Sequence, residues 1–314
     1  MKPKVLLALE GGGTRSQAAL LTGDGILLKT GEAGDVNTNF TSLEQARKEV
    51  LSAVSRVLTA AQISGERVDL FVSALVGPKF GKEVFGELCP RARFLFFNER
   101  DVVFARAGIY RPHGIGVVAA TGATAWGMRA DDGRQVFFGG WGSLLGDEGS
   151  AYAMGLMGLR AAARAFEGRQ RHPTRLVEEV CSHWKLKLEN FRQELVQIAY
   201  HKPLSRADIA GLAAVITRLA REGDEEAVLI CQETANDLAQ LGLHAARQLF
   251  LREESFAVVA AGGVTSAGDL ILGPLRQGLE REFPHAELSI GTESPAEALG
   301  RLAIDHLSNE EETC

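Results

Sequence analysis

Several features that mark other protein classes are missing from this 314-residue chain. Its four cysteines lie far apart and form no Cys-x-x-Cys pair, which argues against a zinc site or a disulfide framework and favours reduced thiols. No segment approaches the roughly 18 to 20 apolar residues of a membrane span, and the apolar run before Glu10 is too short for a signal peptide. We therefore expect a cytoplasmic protein with no membrane partner.

Positive charge is also scarce. Lysine and arginine together number 34 against 40 aspartates and glutamates, which gives a net charge of -6 and leaves no long basic run. Proteins that bind nucleic acid usually carry a basic face, so we expect no nucleic-acid partner. The length, with 46% hydrophobic residues, suits two domains that each bury a core.

Glycine, in contrast, is concentrated in four segments. Their sequences are LALEGGGTRS, AATGATA, GGWGSLLGDEGSAY and VVAAGGVTSAGDL. Each adjoins a predicted strand or the start of a predicted helix, where glycine lets the backbone turn sharply and brings N–H groups close to an anion. Four such segments in one chain predict a shared anionic ligand, and a nucleotide is the ligand that we expect.

The spacing of apolar residues predicts one order of elements twice. Three strands, then a helix, then alternating strands and helices occupy residues 1–112, and three strands open a second round near His113. A helical stretch over about 149–250 interrupts that second round before a last strand, helix and strand. The predicted fold is α/β with two lobes, 1–112 and 113–294, and a helical insertion in the second lobe.

The first glycine segment could also be a dinucleotide-binding fingerprint or a hairpin without a ligand. Its residues fit G-x-G-x-x-S loosely, but a dinucleotide-binding fingerprint requires a helix after the glycines, and the residues after Ser16 predict a second strand. A Walker motif is absent. The segment is therefore predicted to be a hairpin turn whose N–H groups contact phosphate, with Thr14 as a hydroxyl donor and Glu10 holding Mg²⁺ through water. The alternative is a hairpin that is merely tight.

Three segments carry a resemblance to a known family: LALEGGGTRSQAALL, GGWGSLLGDEGSAY and VVAAGGVTSAGDLILGPL. They resemble the N-acetylglucosamine kinase branch of the BadF/BadG/BcrA/BcrD ATPase family, in the superfamily of sugar kinases, actin and heat-shock chaperone ATPases. The resemblance implies two ribonuclease-H-like lobes with ATP and sugar in an interlobe cleft, a C-terminal helix (295–314) that returns to the first lobe, and a homodimer. It also implies Mg²⁺ and ATP-dependent phosphorylation of an amino sugar such as N-acetylglucosamine, usually at O6.

The same resemblance implies roles for single residues. The first phosphate motif falls on Glu10, Gly11, Gly12, Gly13 and Thr14, and the adenosine motif falls on Gly262 and Gly263. The sugar contacts fall on Asn37, Gly140, Trp141 and Asp147. Asparagine and aspartate supply the directional donors and acceptors that a hydroxylated ring needs. Trp141 has an equally good alternative, which is packing in the core.

The catalytic base of the family is an aspartate followed by the pattern D-x-x-x-A-x-x-G. Counting back from Ala105 and Gly108 favours Asp101, at the predicted N-cap of the next helix, over Glu99, which matches only because it follows Asn98. A carboxylate there accepts the proton of the attacking sugar hydroxyl. A purely structural role for Asp101, as a helix cap, is the alternative.

One departure from the family keeps other functions open. Its second phosphate motif, Gly-Thr-Gly-Ser, aligns with GATA here, which leaves Gly122 and Thr124 as the phosphate contacts. The alternative to a kinase is therefore a weak or inactive sugar- and nucleotide-binding sensor. A third class, the dehydratase activator with an iron–sulfur cluster, needs paired cysteine ligands, whereas Cys181 and Cys231 lie in predicted helices.

Overall fold

The computed structural model describes residues 3–12, 15–38, 41–76, 80–201 and 204–312. The chain divides into two compact units, 1–112 with 291–314 and 113–290. No helix within the described ranges combines the length and the apolar character that crossing a membrane requires.

Unit 1 contains a five-stranded sheet in the order β3-β2-β1-β4-β5. Its strands are β1 (Val5–Gly11), β2 (Ser16–Thr22), β3 (Leu27–Ala33), β4 (Leu70–Leu75) and β5 (Arg93–Phe96). Its helices are α1 (Leu43–Ala61), α2 (Lys82–Phe85), α3 (Glu99–Ala105) and α10 (Pro295–Glu312). The first three strands are antiparallel, whereas β4 and β5 run parallel to β1.

Unit 2 repeats that sheet order as β8-β7-β6-β9-β10. Its strands are β6 (Gly114–Ala119), β7 (Ala123–Met128), β8 (Gln135–Gly139), β9 (Phe256–Ala261) and β10 (Ala286–Ile290). Its helices are α4 (Ala151–Phe166), α5 (Leu176–Trp184), α6 (Phe191–Val196), α7 (Arg206–Arg221), α8 (Glu225–Leu249) and α9 (Asp269–Glu282). The predicted duplicated α/β fold with a helical insertion is confirmed.

The alternation of side chains along β1 explains why both faces of the first sheet are covered. Leu7 and Leu9 pack with α1, and Leu6 and Ala8 pack with α3 and α10 on the other face. Successive side chains of a strand point to opposite faces, so a strand that is apolar throughout needs helices on both sides. Helix α10, from the far end of the chain, supplies much of the second cover.

Glycine allows helices α4 and α7 to approach closely inside the insertion. A Cβ added at Gly155 of α4 would lie 2.0 Å from the Ile209 carbonyl oxygen of α7. We expect Gly155→Ala to lower the free energy of unfolding by about 1–3 kcal/mol, because backbone must move to admit the methyl group. Urea denaturation measures the change.

Gly211 of α7 is the matched control for that substitution. A Cβ there would lie 3.6 Å from the nearest side-chain atom, His183 Nε2, which is ordinary contact. Alanine favours helix over glycine by up to about 1 kcal/mol, so Gly211→Ala is expected to be neutral or stabilising. Equal losses at both positions would contradict the packing explanation.

An ion pair between Arg129 and Glu254 links the β6–β7–β8 meander to the segment after α8. Arg129 donates to Glu254 from both terminal nitrogens, at 2.9 and 2.5 Å, and Glu254 also accepts the Leu251 N–H at 2.6 Å. The hydrogen bonds from the Arg129 side chain and the Leu251 backbone lower the pKa of Glu254 to about 2. The carboxylate form of this residue is therefore favoured by folding.

The stability that Glu254 contributes is expected to depend on pH. Because its folded pKa lies below the ordinary value of 4.5, the contribution is complete above about pH 4.5 and is lost as pH falls towards 2. Glu254→Gln is expected to lower the melting temperature at pH 7 and to matter progressively less in acid. Its exposed neighbour provides the control variant, Glu253→Gln, which should change little at either pH.

Candidate functional site

The first phosphate motif lies where β1 ends in unit 1. Gly12 follows the strand, its N–H donates to the Arg15 carbonyl at 3.1 Å, and its own carbonyl accepts the Val36 N–H at 3.2 Å. That last bond places Asn37, which is buried, next to the turn. Gly13 and Thr14 lie outside the described residues, so their predicted phosphate contacts stay predictions.

Glu10 is the carboxylate of this turn. Desolvation raises its pKa to about 7, against the opposing effects of Arg106 and Arg15, and Glu99 raises it further. A pKa near 7 means that removing the proton at neutral pH costs little once a cation or a hydrogen-bond donor arrives. The turn therefore combines glycine backbone with a carboxylate that responds to a charged ligand.

Helix α3 carries the two candidates for the catalytic base. The helix begins at Glu99 with Asn98 as its N-cap, so the prediction that Asp101 caps the helix was wrong. The helix starts earlier because Phe96 ends β5 and Asn98 already has the extended backbone of a cap residue. Asp101 is thus the third residue of the helix.

The two carboxylates differ in their surroundings. Glu99 acts electrostatically on Glu10, whereas Asp101 lines a pocket of about 300 Å³ with Phe97 and the α10 residues Leu302 and His306. Desolvation raises the pKa of Asp101, and hydrogen bonds with Asn98 oppose that rise. Two residues along a helix turn the side chain by about 200°, which explains the separation.

The second phosphate segment forms the turn between β6 and β7 in unit 2. Strand β6 ends at Ala119 and β7 begins at Ala123, so Thr121 and Gly122 stand in the turn, whereas Thr124 lies inside β7. The apolar run that begins at Ile115 continues without a break and by itself predicts a strand through Thr121. Thr121 is thus a hydroxyl residue of this turn that the sequence reasoning missed.

The start of helix α4 supports the same turn. The N–H groups of Ala151 and Tyr152 donate to the carbonyls of Ala120 and Thr121 at 2.9 and 3.4 Å, and the N-cap Ser150 accepts the Ala153 N–H at 3.1 Å. These bonds satisfy N–H groups that a helix start otherwise leaves open. The second phosphate turn is therefore hydrogen-bonded to the start of α4, directly after the Gly-Asp-Glu-Gly sequence at 146–149.

Asp147 joins this turn to the helical insertion. Its buried carboxylate accepts a hydrogen bond from the Arg206 guanidinium at 2.7 Å and a weaker one from the Ala123 N–H at 3.4 Å. Desolvation raises its pKa, which the Ala123 N–H and Arg206 oppose. Asp147 also has a φ of 65°, an uncommon backbone conformation for a residue other than glycine. Its predicted sugar contact remains a prediction, and Arg206 is a partner that the sequence did not reveal.

The rest of the third glycine segment turns away from β8. Gly140 has a φ of 70°, and a Cβ there would lie 2.9 Å from Thr124 Cγ2, so glycine is required twice over. Trp141, which follows, is 73% exposed. The alternative that Trp141 packs in the core is therefore wrong, and its indole is accessible to a ligand.

The fourth glycine segment follows β9. Because β9 pairs in parallel with β6, Gly262 comes next to the second phosphate turn, and a Cβ there would lie 2.3 Å from the Ala119 carbonyl oxygen. The hydroxyls of Thr265 and Ser266 donate to the carbonyls of Gly262 and Gly263 at 2.8 and 2.6 Å. The adenosine motif and the second phosphate turn therefore lie side by side, where β9 and β6 end.

Metal binding depends on few protein ligands here. Among the residues that the structure describes, no three histidines, cysteines, aspartates or glutamates cluster in a way that could hold a metal ion. Mg²⁺ usually needs only one or two carboxylates, because phosphates and water complete its coordination. Glu10, which desolvation keeps easily protonated until a cation arrives, fits that requirement.

Comparison with known proteins decides the family. The model of the BadF/BadG/BcrA/BcrD ATPase family matches residues 9–291, which run from the end of β1 through β10. The chain belongs to this family.

The relatives described next align with more than nine-tenths of the chain. It is 24% identical over 291 residues to an N-acetylmuramic acid/N-acetylglucosamine kinase of Clostridium acetobutylicum, with 91% of this chain and 93% of the relative covered. It is also 24% identical over 326 residues to an N-acetyl-D-glucosamine kinase of Dictyostelium discoideum, with 97% and 99% covered. A candidate N-acetylglucosamine kinase structure from Chromobacterium violaceum shares the fold, with a TM-score of 0.69, 22% identity, and 96% and 99% covered.

Proposed function

We propose that this protein transfers the terminal phosphoryl group of ATP to a hydroxyl of an amino sugar such as N-acetylglucosamine, at O6. The observation that supports this most directly is the grouping in unit 1 of Glu10, the Gly11–Gly12 backbone, Asn37 and Glu99. Such a grouping offers a phosphate-binding turn, a residue for sugar hydroxyls and a base. The family and the names of both kinase relatives agree with this proposal.

In the proposed reaction, Glu99 accepts the proton of the sugar hydroxyl. The sugar oxygen forms a bond to the γ-phosphorus while the bond from that phosphorus to the β–γ bridging oxygen breaks, and ADP leaves. We favour Glu99 over Asp101 as the base because Glu99 is among the charges that act on Glu10, whereas Asp101 lies in the pocket against α10. The sequence-based preference for Asp101 stays a prediction, and the kinetics of Glu99 and Asp101 variants test it.

The other proposed contacts follow from the backbone of each unit. Gly12, where an added Cβ would meet nothing within 4 Å, leaves room for phosphate beside the first turn. Thr121 and Gly122 contact phosphate oxygens, and Gly262 and Gly263 let adenosine approach the backbone. Asn37, Asp147 and the exposed Trp141 bind the sugar. Glu10 would hold Mg²⁺ through water, and the ion would neutralise charge on the phosphates.

Coupled ADP release tests the proposal. Mg-ATP is offered with N-acetylglucosamine, N-acetylmuramic acid, glucosamine, N-acetylmannosamine and glucose, and the product is located by NMR. We expect turnover on an N-acetylated amino sugar with the phosphate on O6. Sugar and nucleotide binding by calorimetry without turnover on any sugar would instead support the sensor, for which the altered second phosphate motif is the motivation.

A further inference from the structure

One face of helix α3 carries opposite charges at its two ends. Glu99 and Arg106 are seven residues apart, and seven helical residues complete almost two turns, so both side chains leave the same face. Arg106, the C-cap residue, still has helical backbone with φ of −63°. Both residues act electrostatically on Glu10, at the end of β1.

Only part of the Arg106 guanidinium is used within unit 1. Its Nε donates to the Glu293 carbonyl at 2.8 Å, and the Glu293 N–H returns a bond to the Arg106 carbonyl at 3.3 Å. Across the described ranges, the Arg106 side chain makes no further hydrogen bond and no ion pair within 4.0 Å. The Nε bond orients the planar group, and its two terminal nitrogens remain as donors.

The surroundings of Arg106 favour an anion. Its guanidinium lies within electrostatic reach of Glu10, Arg15 and Glu293, and burial lowers its pKa, although an arginine in a protein stays charged. A partly desolvated cation that has no ion-pair partner within 4.0 Å gains more from an incoming anion than a cation in water does. The anion expected beside the β1–β2 turn is phosphate.

We propose that Arg106 is a phosphate-binding residue of unit 1, whose terminal nitrogens bind oxygens of the nucleotide's polyphosphate chain. The proposal rests on the nucleotide use proposed above. A guanidinium presents two parallel N–H donors to a phosphate, and charge-assisted bonds of this kind are shorter and stronger than neutral ones. The alternative is a purely structural role, in which the hydrogen bond from Arg106 to the Glu293 carbonyl links α3 to the segment before α10.

Nucleotides that differ in phosphate number separate these roles. Calorimetry with the full chain measures dissociation constants for Mg-AMPPNP, Mg-ADP and AMP in the wild type, Arg106→Gln and Arg106→Lys. We expect Arg106→Gln to weaken Mg-AMPPNP binding by about 10- to 100-fold and AMP binding by no more than about twofold. Arg106→Lys keeps the charge without the two-pronged geometry and should recover part of the loss.

Arg301→Gln is the matched control, because Arg301 also anchors Glu293, at 2.9 Å, and forms an ion pair with Glu297 at 2.6 Å. It should leave the ratio of AMPPNP to AMP affinity unchanged. An equal loss for all three nucleotides in Arg106→Gln, or no loss, would overturn the inference while leaving the proposed function standing. A wild-type chain that binds none of these nucleotides would overturn both.

Discussion

Replacing Glu99 with glutamine is expected to lower kcat for ATP-dependent phosphorylation of the amino sugar by about 10²- to 10⁴-fold. The amide cannot accept the hydroxyl proton, whereas its size preserves the start of α3. Because Glu99 is the first residue of the helix after the Asn98 cap, the exchange should change stability little. Steady-state kinetics with saturating sugar and ATP measure kcat, and melting curves verify folding.

Asp101→Asn is the matched variant on the same helix. Asp101 lies in the pocket with Phe97, Leu302 and His306, so we expect kcat to fall by less than about tenfold. The opposite result, with activity lost in Asp101→Asn and kept in Glu99→Gln, would establish Asp101 as the base. Equal large losses in both variants would point to damage in α3, which the melting curves would reveal.

Replacing Asp147 with alanine is expected to cost about 3 kcal/mol of folding free energy. The exchange removes the carboxylate that faces the Arg206 guanidinium at 2.7 Å, and the loss of one partner from a buried ion pair is costly. We expect the low end of the usual range because the Arg206 side chain is 24% exposed. Alanine also tolerates the left-handed backbone at 147 poorly.

A double-mutant cycle isolates this interaction. Asp147→Asn fits the same backbone better than alanine, and Arg206→Gln removes the opposite charge, so the double variant should lose less than the sum of the single losses. Urea denaturation gives the coupling free energy. Strictly additive losses would show that the pair contributes nothing, and an unchanged sugar affinity in Asp147→Asn would argue against its sugar contact.

Much of the fold was predictable because it depends on short-range pattern. The turn Gly23-Asp24-Gly25 and the flanking apolar residues predict the β2–β3 hairpin, and the spacing of Ala46, Val50, Ala53 and Val57 predicts the buried face of α1. Strand ends were less predictable. The apolar run continues through the end of β6 and does not show where the strand ends. Only the pairing of Ala119 with Ala123 shows that Thr121 lies in the turn between β6 and β7.

The candidate site was predictable in its residue types and less so in its geometry. Glycine segments identified both turns and the adenosine motif, since only glycine admits conformations such as that of Gly262, with φ of 107°. Which of Glu99 and Asp101 lies in the pocket against α10 depends on where α3 begins. A shift of the helix start by two residues exchanges their directions, and counting to Gly108 cannot detect such a shift.

By itself, the sequence determined the order of the elements, the duplicated sheet and the position of the glycine turns, because each follows from neighbouring residues. Only the tertiary structure decided which distant residues contact the residues around those turns. Asp147 and Arg206 are 59 residues apart and become partners because α7 packs beside the second phosphate turn. Arg106 and Glu293 are 187 residues apart, and they meet because α10 packs against α3. Contacts of that range depend on the packing of whole elements, which no local pattern records.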